Sequence, residues 1–189
     1  SMIWYGGRIS LYIGVLATII TTVIAILYGA ISGIAVPWID GLMMRFVEIL
    51  LSLPTILLII FVQALIGMQT PTTIAIVIGI TSWMTMAKMV RPEVRQMRHC
   101  EYVLASKMLG GRFFHILRKH YFPHFFATIM FMIVMNINSA IIAESTLSFL
   151  GIGLPVDVIS WGSMLSLAQK ALLTEAWWII VIPTLFLIT

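Results

Sequence analysis

The amino-acid sequence predicts an all-α integral membrane protein with about five transmembrane helices. Of its 189 residues, 61% are hydrophobic and only 10% are charged, whereas soluble domains carry about 25% charged residues. Residues 9–39, 49–87 and 120–143 contain no charged side chain when His is counted as neutral. Each stretch can supply a helix of about 20 apolar residues, the length that crosses a bilayer. We therefore expect a single membrane domain over residues 1–189.

Five spans follow from the uncharged stretches and from the turn residues between them. They cover about residues 10–36, 46–66, 72–87, 125–143 and a last segment that starts near residue 177. In the first span, Gly29 and Gly33 form a small-xxx-small pair that allows close helix approach. The residues Pro37, Asp40 and Gly41 then predict a turn. Pro54 lies inside the second span, where its missing N–H predicts a kink.

Positive charge is concentrated between the third and fourth spans. Residues 88–124 hold eight of the eleven Lys and Arg side chains against only Glu93 and Glu101. Cytoplasmic loops carry such an excess of Lys and Arg, so this segment is predicted on the cytoplasmic side. Topology thus explains the net charge of +4, and no interleaving of aromatic and basic residues predicts nucleic-acid binding.

The orientation also determines what is expected of the other segments. Residues 144–176 are predicted at the opposite membrane face, partly helical, with a chain break at Gly151, Gly153 and Pro155. Residues 1–9 lie outside in this topology, which predicts an additional span upstream. The last apolar run stops within a length that is short for a span. Both ends of the sequence are therefore expected to be incomplete.

The basic segment predicts two short helices joined by a glycine hinge. The first, residues 92–109, ends at Gly110 and Gly111, which form a natural helix stop. One of its faces carries side chains at helical spacing, namely Tyr102, Ala105, Ser106 and Leu109. The second helix begins at Arg112, and Pro123 marks the entry into the next span. Two interpretations remain open, a helix lying on anionic lipid and a rigid projection in a partner's groove.

The stretch EYVLASKMLGGRFFHILRKHYFP, at residues 101–123, resembles the cytoplasmic EAA loop of ABC importer permeases. Leu104, Ala105 and Ser106 stand at the positions of the EAA triplet. Gly110 stands at the position of the loop's glycine and Pro123 at that of its last proline, with the family's spacing between them. Leu104 replaces the triplet's acidic residue, Ser106 replaces its second alanine, and Phe122 replaces a leucine. Glu101, one helical turn earlier, can supply the missing carboxylate.

Three further stretches resemble one branch of that family, the permeases of dipeptide, oligopeptide and nickel importers. They are YGGRISLYIG at residues 5–14, ESTLSFLGIGLP at 144–155 and SWGSML at 160–165. Together with the loop they cover nearly the whole chain in the expected order. The resemblance implies a six-span type I importer fold in which residues 88–124 form the coupling loop. It implies ATPase-coupling roles for Glu101, Tyr102, Leu104, Ala105, Ser106, Gly110, Gly111 and Pro123.

The resemblance also implies a set of partners in a bacterial or archaeal cytoplasmic membrane. Besides membrane lipid, they are a second related permease, two cytoplasmic ATPases and an extracytoplasmic substrate-binding protein. The sequence has no G-x-x-x-x-G-K-[ST] phosphate loop, so ATP is expected to be used by the partner subunits. We expect no cofactor bound directly to this chain and no catalytic site. The four His residues match no usual metal-ligand spacing, and no metal site is expected.

The expected cargo is di- or oligopeptides, with nickel or a metallophore as the alternative within the same branch. A different class, an ion-coupled secondary transporter, usually keeps ionisable groups inside the membrane for its coupling ion. The main polar candidates within the spans are Gln63, Asn136 and Asn138. We expect Asn136 and Asn138, together with Glu144, as pathway-lining candidates, although helix–helix hydrogen bonding is the more common role of such amides.

Overall fold

The computed structural model describes residues 2–97, 126–155 and 158–171, and these residues form α-helices joined by short turns. In chain order the helices are α1 (Met2–Ile34), α2 (Pro37–Leu51), α3 (Thr55–Ile66), α4 (Pro71–Met97), α5 (Phe126–Phe149) and α6 (Trp161–Ala171). This part of the chain contains no β-strand. The predicted all-α class is confirmed.

Three of these helices are long and apolar enough to cross a membrane. They are Trp4–Ile34 in α1, the whole of α4, and Thr128–Phe149 in α5, and they correspond to the predicted first, third and fourth spans. Helices suit this role because they satisfy their backbone hydrogen bonds internally. The predicted second span corresponds to α2 and α3, whose axes are bent by 87°. The fifth predicted span lies outside the described residues.

The bend between α2 and α3 lies at the predicted proline. α2 ends at Leu51, and α3 begins at Thr55, directly after Pro54. Pro54 cannot donate a backbone hydrogen bond, and its ring disfavours helical backbone at the preceding Leu53. The predicted kink is therefore confirmed, and it takes the form of a break in the helix.

The turn after α1 lies before the predicted position. The chain leaves the helical conformation at Ala35 and Val36, and α2 already starts at Pro37. Proline suits the first turn of a helix because its missing N–H needs no partner there and its φ angle is already helical. Asp40 and Gly41 consequently lie within α2, and the prediction of a turn at these residues was wrong.

α4 extends beyond the predicted end of the third span. The sequence predicted an end at residue 87 and a separate helix from Pro92, but α4 continues through Pro92 to Met97. Pro92 removes one backbone hydrogen bond, which favours a break. Val90, Val94 and Met97 are nevertheless fully buried along one face of the helix, and this packing holds the helix together. The first residues of the predicted coupling loop are therefore a continuation of the span.

The chain forms two compact units, each assembled from segments that are distant in sequence. Unit 1 comprises Ser1–Ile20, Thr55–Thr81 and Met135–Thr189, and unit 2 comprises Thr21–Pro54 and Ser82–Val134. α1, α3, α4 and α5 all contribute to the core of unit 1. Its buried side chains include Ile13, Ala17, Ile59, Ile74, Val77, Ile78, Ala140 and Leu147.

In unit 2, the two glycines of the small-xxx-small pair lie against α4. A Cβ atom on Gly29 would come within 2.8 Å of the Ala87 carbonyl oxygen, and one on Gly33 within 3.0 Å of the Arg91 carbonyl oxygen. Real Cβ atoms essentially never come as close as the one on Gly29 would, and one on Gly33 would fit only if its neighbours on α4 shifted, so both positions favour glycine for this helix spacing. The predicted close helix approach is confirmed.

Candidate functional site

A carboxyl group with three hydroxyl donors lies at the centre of unit 1. Glu144 on α5 is fully buried. The hydroxyls of Ser148 and Ser160 donate hydrogen bonds to its Oε1 at 2.8 and 2.7 Å, and that of Ser10 donates to Oε2 at 3.1 Å. These residues, together with Ser163, are called the Glu144 cluster below. The cluster joins α1, α5 and the start of α6 through one side chain.

Two of the serines owe their positions to local helix geometry. Ser148 follows Glu144 by one helical turn, so the two side chains share a face of α5. Ser160 precedes α6, where the Ser163 N–H donates to its hydroxyl at 3.1 Å and its own N–H donates to the Ser163 hydroxyl at 2.7 Å. This reciprocal pair is a capping box with serine in the place of the usual Glu or Gln.

A tight turn brings the chain from α5 back towards the cluster. Gly151 has a φ of 76°, in the left-handed region that glycine adopts without steric cost. The Gly153 N–H bonds to the Leu147 carbonyl at 2.9 Å and completes the end of α5. Gly162 then approaches Ser145 so closely that a Cβ atom would collide with its backbone. The predicted break at the glycines after α5 is confirmed.

The hydroxyl groups satisfy both carboxyl oxygens of Glu144. A buried ionisable group inside a membrane span is costly unless its polar atoms have partners. Within residues 2–97, 126–155 and 158–171, the ion pairs of the structure involve Asp40 and not Glu144. At Glu144, serine hydroxyls therefore supply the polar contacts that arginine side chains supply at Asp40. Such a group fixes the relative position of three chain segments.

A second buried carboxylate lies in unit 2 and is bound by two guanidinium groups. Asp40 is only 4% exposed. Arg91 donates to both of its oxygens, with Nε at 2.6 Å from Oδ1, and Arg95 donates from Nη1 to Oδ2 at 3.1 Å. Ser32 also donates to Oδ1, at 2.5 Å. These four residues are called the Asp40 cluster below, and they connect α1, α2 and α4.

The arrangement of the Asp40 cluster follows from its helices. Asp40 lies in the first turn of α2, where the helix dipole favours a negative charge. Arg91 and Arg95 are four residues apart and therefore share one face of α4. Asp40 lies outside the three long spanning helices, and Arg91 binds both oxygens of its carboxylate. The cluster is thus a bidentate ion pair with a second arginine and a hydroxyl attached.

Comparison with known proteins identifies the family. Residues 25–189 match the family described as "Binding-protein-dependent transport system inner membrane component". The chain belongs to this family. It is 39% identical over 184 residues to the dipeptide transport system permease protein DppC of Bacillus subtilis, and the match covers 97% of the chain and 57% of the relative.

Two further relatives of the permease are oligopeptide transport system permease proteins named OppC. The Bacillus subtilis protein is 37% identical over 92% of this chain and 57% of its own length. The Haemophilus influenzae protein is 36% identical over 96% of this chain and 58% of its own length. The chain thus spans less than two thirds of the length of these relatives. The predicted resemblance to permeases of this branch is confirmed.

The permease's predicted site residues fall in different places. The coupling-loop residues from Glu101 to Pro123 lie outside the described residues. On α5, Asn136 is half-buried, Asn138 is exposed and Glu144 is enclosed by serines. The pathway-lining roles of these three residues stay predictions. In the described ranges, no three His, Cys, Asp or Glu side chains come together as metal ligands would.

Sequence reasoning missed both clusters as units, although one signal pointed to the first. Ser10, Ser148 and Ser160 each lie in a different one of the three stretches that resemble the peptide and nickel branch. The structure brings those stretches together at Glu144. The Asp40 cluster had no such signal, because the cytoplasmic orientation of the basic segment already explains the positive charges of Arg91 and Arg95.

Proposed function

We propose that this chain is a permease subunit of an ATP-driven importer and forms half of its translocation pathway for di- and oligopeptides. The observation that carries the proposal is the 39% identity to a dipeptide transport permease over 97% of the chain. The names of the two OppC relatives also favour peptides over the nickel or metallophore alternative. The family description, which makes transport dependent on a binding protein, favours an importer over an ion-coupled secondary transporter.

The complete importer contains subunits besides this one. A second, related permease completes the pathway, two cytoplasmic ATPases hydrolyse ATP, and an extracytoplasmic protein delivers the substrate. The assembly lies in a bacterial or archaeal cytoplasmic membrane and contacts its lipid. This chain binds no cofactor directly, and it performs no hydrolysis because its sequence lacks a phosphate-binding loop.

The basic segment at residues 88–124 receives the force that the ATPases generate. Closure of the ATPase dimer around ATP moves this loop, and the attached spans then expose the pathway to alternate sides of the membrane. The helix predicted before Gly110 and Gly111 docks into an ATPase groove, and the two glycines set the direction of the predicted helix that follows. The docking residues are Glu101, Tyr102, Leu104, Ala105, Ser106, Gly110, Gly111 and Pro123.

α5 contributes the polar groups of the pathway. Asn138 is exposed on this helix, and its amide can both donate to and accept from a peptide backbone. Asn136 lies half-buried nearby in sequence. Glu144 is the third pathway-lining candidate, and its serine contacts also fix α5 against α1 and the start of α6.

Co-purification tests the assembly. The full-length protein is expressed with its partner permease and the two ATPases and is purified through a tag on the permease. The wild-type chain should retain both ATPases, and Ala105→Arg, which places a long charged side chain on the docking face, should release them. Glu48→Gln, which removes an exposed charge from α2, is the matched control and should retain them. Absence of ATPases from the wild-type preparation would contradict the proposal.

A further inference from the structure

The Asp40 cluster lies at the part of α4 that leads into the predicted coupling loop. Arg91 and Arg95 belong to the last two turns of α4, which ends at Met97, and the docking residues begin at Glu101. Any force that the loop transmits to α4 must therefore pass through these turns. The inference that follows rests on the proposed function, because it assigns the cluster a role in energy coupling.

This end of α4 contains a mechanical weak point. Pro92 lies inside the helix and cannot donate the backbone hydrogen bond that would join it to the carbonyl of Lys88. Sharp kinks in helices occur mainly at such prolines. A force applied beyond Pro92 would bend the helix there and would not reach the membrane span unless another contact resisted bending.

Asp40 supplies contacts on both sides of this weak point. In sequence, Arg91 immediately precedes Pro92 and Arg95 follows it, and both guanidinium groups bind the carboxylate of Asp40. The Arg91 contact uses two parallel hydrogen bonds, which fix the orientation of the guanidinium as well as its distance. Asp40 is itself held by Ser32 at the end of α1. The carboxylate therefore bridges the proline from a neighbouring helix.

The glycines of α1 reinforce the same segment. Gly33 lies against the backbone carbonyl of Arg91 and against Val94, and Gly29 lies against Val90. The Val90 and Val94 side chains are fully buried. Within unit 2, the end of α4 is thus packed along α1 through its apolar face and tied to α2 through its arginines.

We infer that Asp40 is a positioning residue for energy coupling. Its contacts with Arg91 and Arg95 keep α4 from bending at Pro92, so that the coupling loop, the end of α4 and the α1–α2 turn move together. Without these contacts, ATP hydrolysis continues, but part of the motion is absorbed by bending at Pro92 and fewer substrate molecules are imported per ATP. The role is distinct from ATPase docking and from substrate binding, since Asp40 belongs to neither surface.

The test uses the complete importer, reconstituted in proteoliposomes with its binding protein, and measures peptide uptake per ATP hydrolysed. Asp40→Asn should retain the ATPases and their hydrolysis rate but lower the uptake-to-ATP ratio severalfold. Arg45→Gln, which neutralises an exposed charge on the same helix, should leave the ratio unchanged. An assembled Asp40→Asn importer with the wild-type ratio would overturn the inference.

A suppressor variant distinguishes the role of Asp40 in resisting bending at Pro92 from a general structural role. Pro92→Ala restores the missing N–H and the helical propensity at the weak point. In the Asp40→Asn background it should return the ratio towards the wild-type value, because the helix then resists bending without the carboxylate. An assembled double variant that stays uncoupled would overturn the proposal that Asp40 acts by resisting bending at Pro92.

A milder substitution covers the case in which Asp40→Asn does not assemble. Arg95→Gln removes only the contact beyond the proline, from a side chain that is half exposed, so folding should be retained. It should lower the uptake-to-ATP ratio by less than Asp40→Asn, and Pro92→Ala should correct it. An unchanged ratio in Arg95→Gln would contradict the proposal that the contacts of Asp40 resist bending at Pro92. Failure of the wild-type chain to bind ATPases would instead refute the proposed function.

Discussion

The hydroxyl of Ser160 donates a hydrogen bond of 2.7 Å to Oε1 of Glu144, sixteen residues earlier in the chain. This contact ties the start of α6 to the middle of unit 1, across the turn at Gly151. Ser10 reaches the same carboxyl group from 134 residues away in sequence. Three stretches of the chain therefore depend on one buried side chain, and this dependence can be tested by substitution.

Removal of the carboxyl group should destabilise the permease strongly. Glu144→Ala leaves three serine hydroxyls without their acceptor and creates a cavity, at a cost of about 3 kcal/mol or more. Glu144→Gln keeps the shape and one acceptor oxygen, so its cost should be smaller. Thermal unfolding of the detergent-purified protein measures both. Ser139→Ala, on the exposed face of the same helix, is the control and should change stability little. Equal stability of Glu144→Ala and wild type would refute the structural role.

Ser160 should matter more than its size suggests, because it takes part in two sets of contacts. Ser160→Ala removes the bond to Glu144 and the cap on the Ser163 N–H, and loss of a cap alone costs about 1 kcal/mol. In a double-variant cycle with Glu144→Gln, the two effects should be less than additive, since they share a contact. Strict additivity in unfolding measurements would show that the two residues act independently.

Two glycines should respond oppositely to the same substitution. A Cβ atom on Gly162 would collide with the backbone of Ser145, so Gly162→Ala should cost about 1–3 kcal/mol. Gly41 lies within α2, and a Cβ atom added there would meet no other atom within 4 Å, so Gly41→Ala should be neutral or stabilising by up to about 1 kcal/mol. Denaturation of both variants under the same conditions compares them directly. Equal stabilities would contradict the close contact of α6 with α5.

The predicted glycine hinge of the coupling loop can be tested in transport. Gly110→Leu should leave ATP hydrolysis by the assembled importer in place but abolish most peptide uptake, because the bulky side chain would alter the direction of the helix predicted to follow. The readout is uptake and hydrolysis in the same proteoliposomes. Cys100→Ser, a small change in the same segment, should keep both activities. Coupled transport by Gly110→Leu at the wild-type ratio would count against the hinge.

Features that depend on neighbouring residues could be predicted from the sequence. Long apolar runs indicated the spans, Pro54 indicated the break between α2 and α3, and Gly29 and Gly33 indicated a close helix contact. Each of these signals lies within the segment that it describes. For the same reason, the helix break after α5 followed directly from its glycines.

Features that depend on distant residues could not be predicted. Pro92 indicated a helix start, but buried packing of Val90 and Val94 carries α4 past it. The pair between Asp40 and Arg91 joins residues 51 positions apart, and nothing in either local sequence specifies the partner. Topology alone explains the positive charge of Arg91, so its contact with Asp40 could not be predicted.

We propose that this permease takes part in peptide import with energy from ATP, and ATP-driven accumulation tests this proposal most directly. Proteoliposomes containing the full importer and its binding protein are supplied with a labelled dipeptide, with Ni²⁺ uptake measured in parallel. We predict that dipeptide accumulates above its external concentration only when ATP and the binding protein are both present. Accumulation driven by an ion gradient without ATP, or uptake of Ni²⁺ without dipeptide, would contradict this claim.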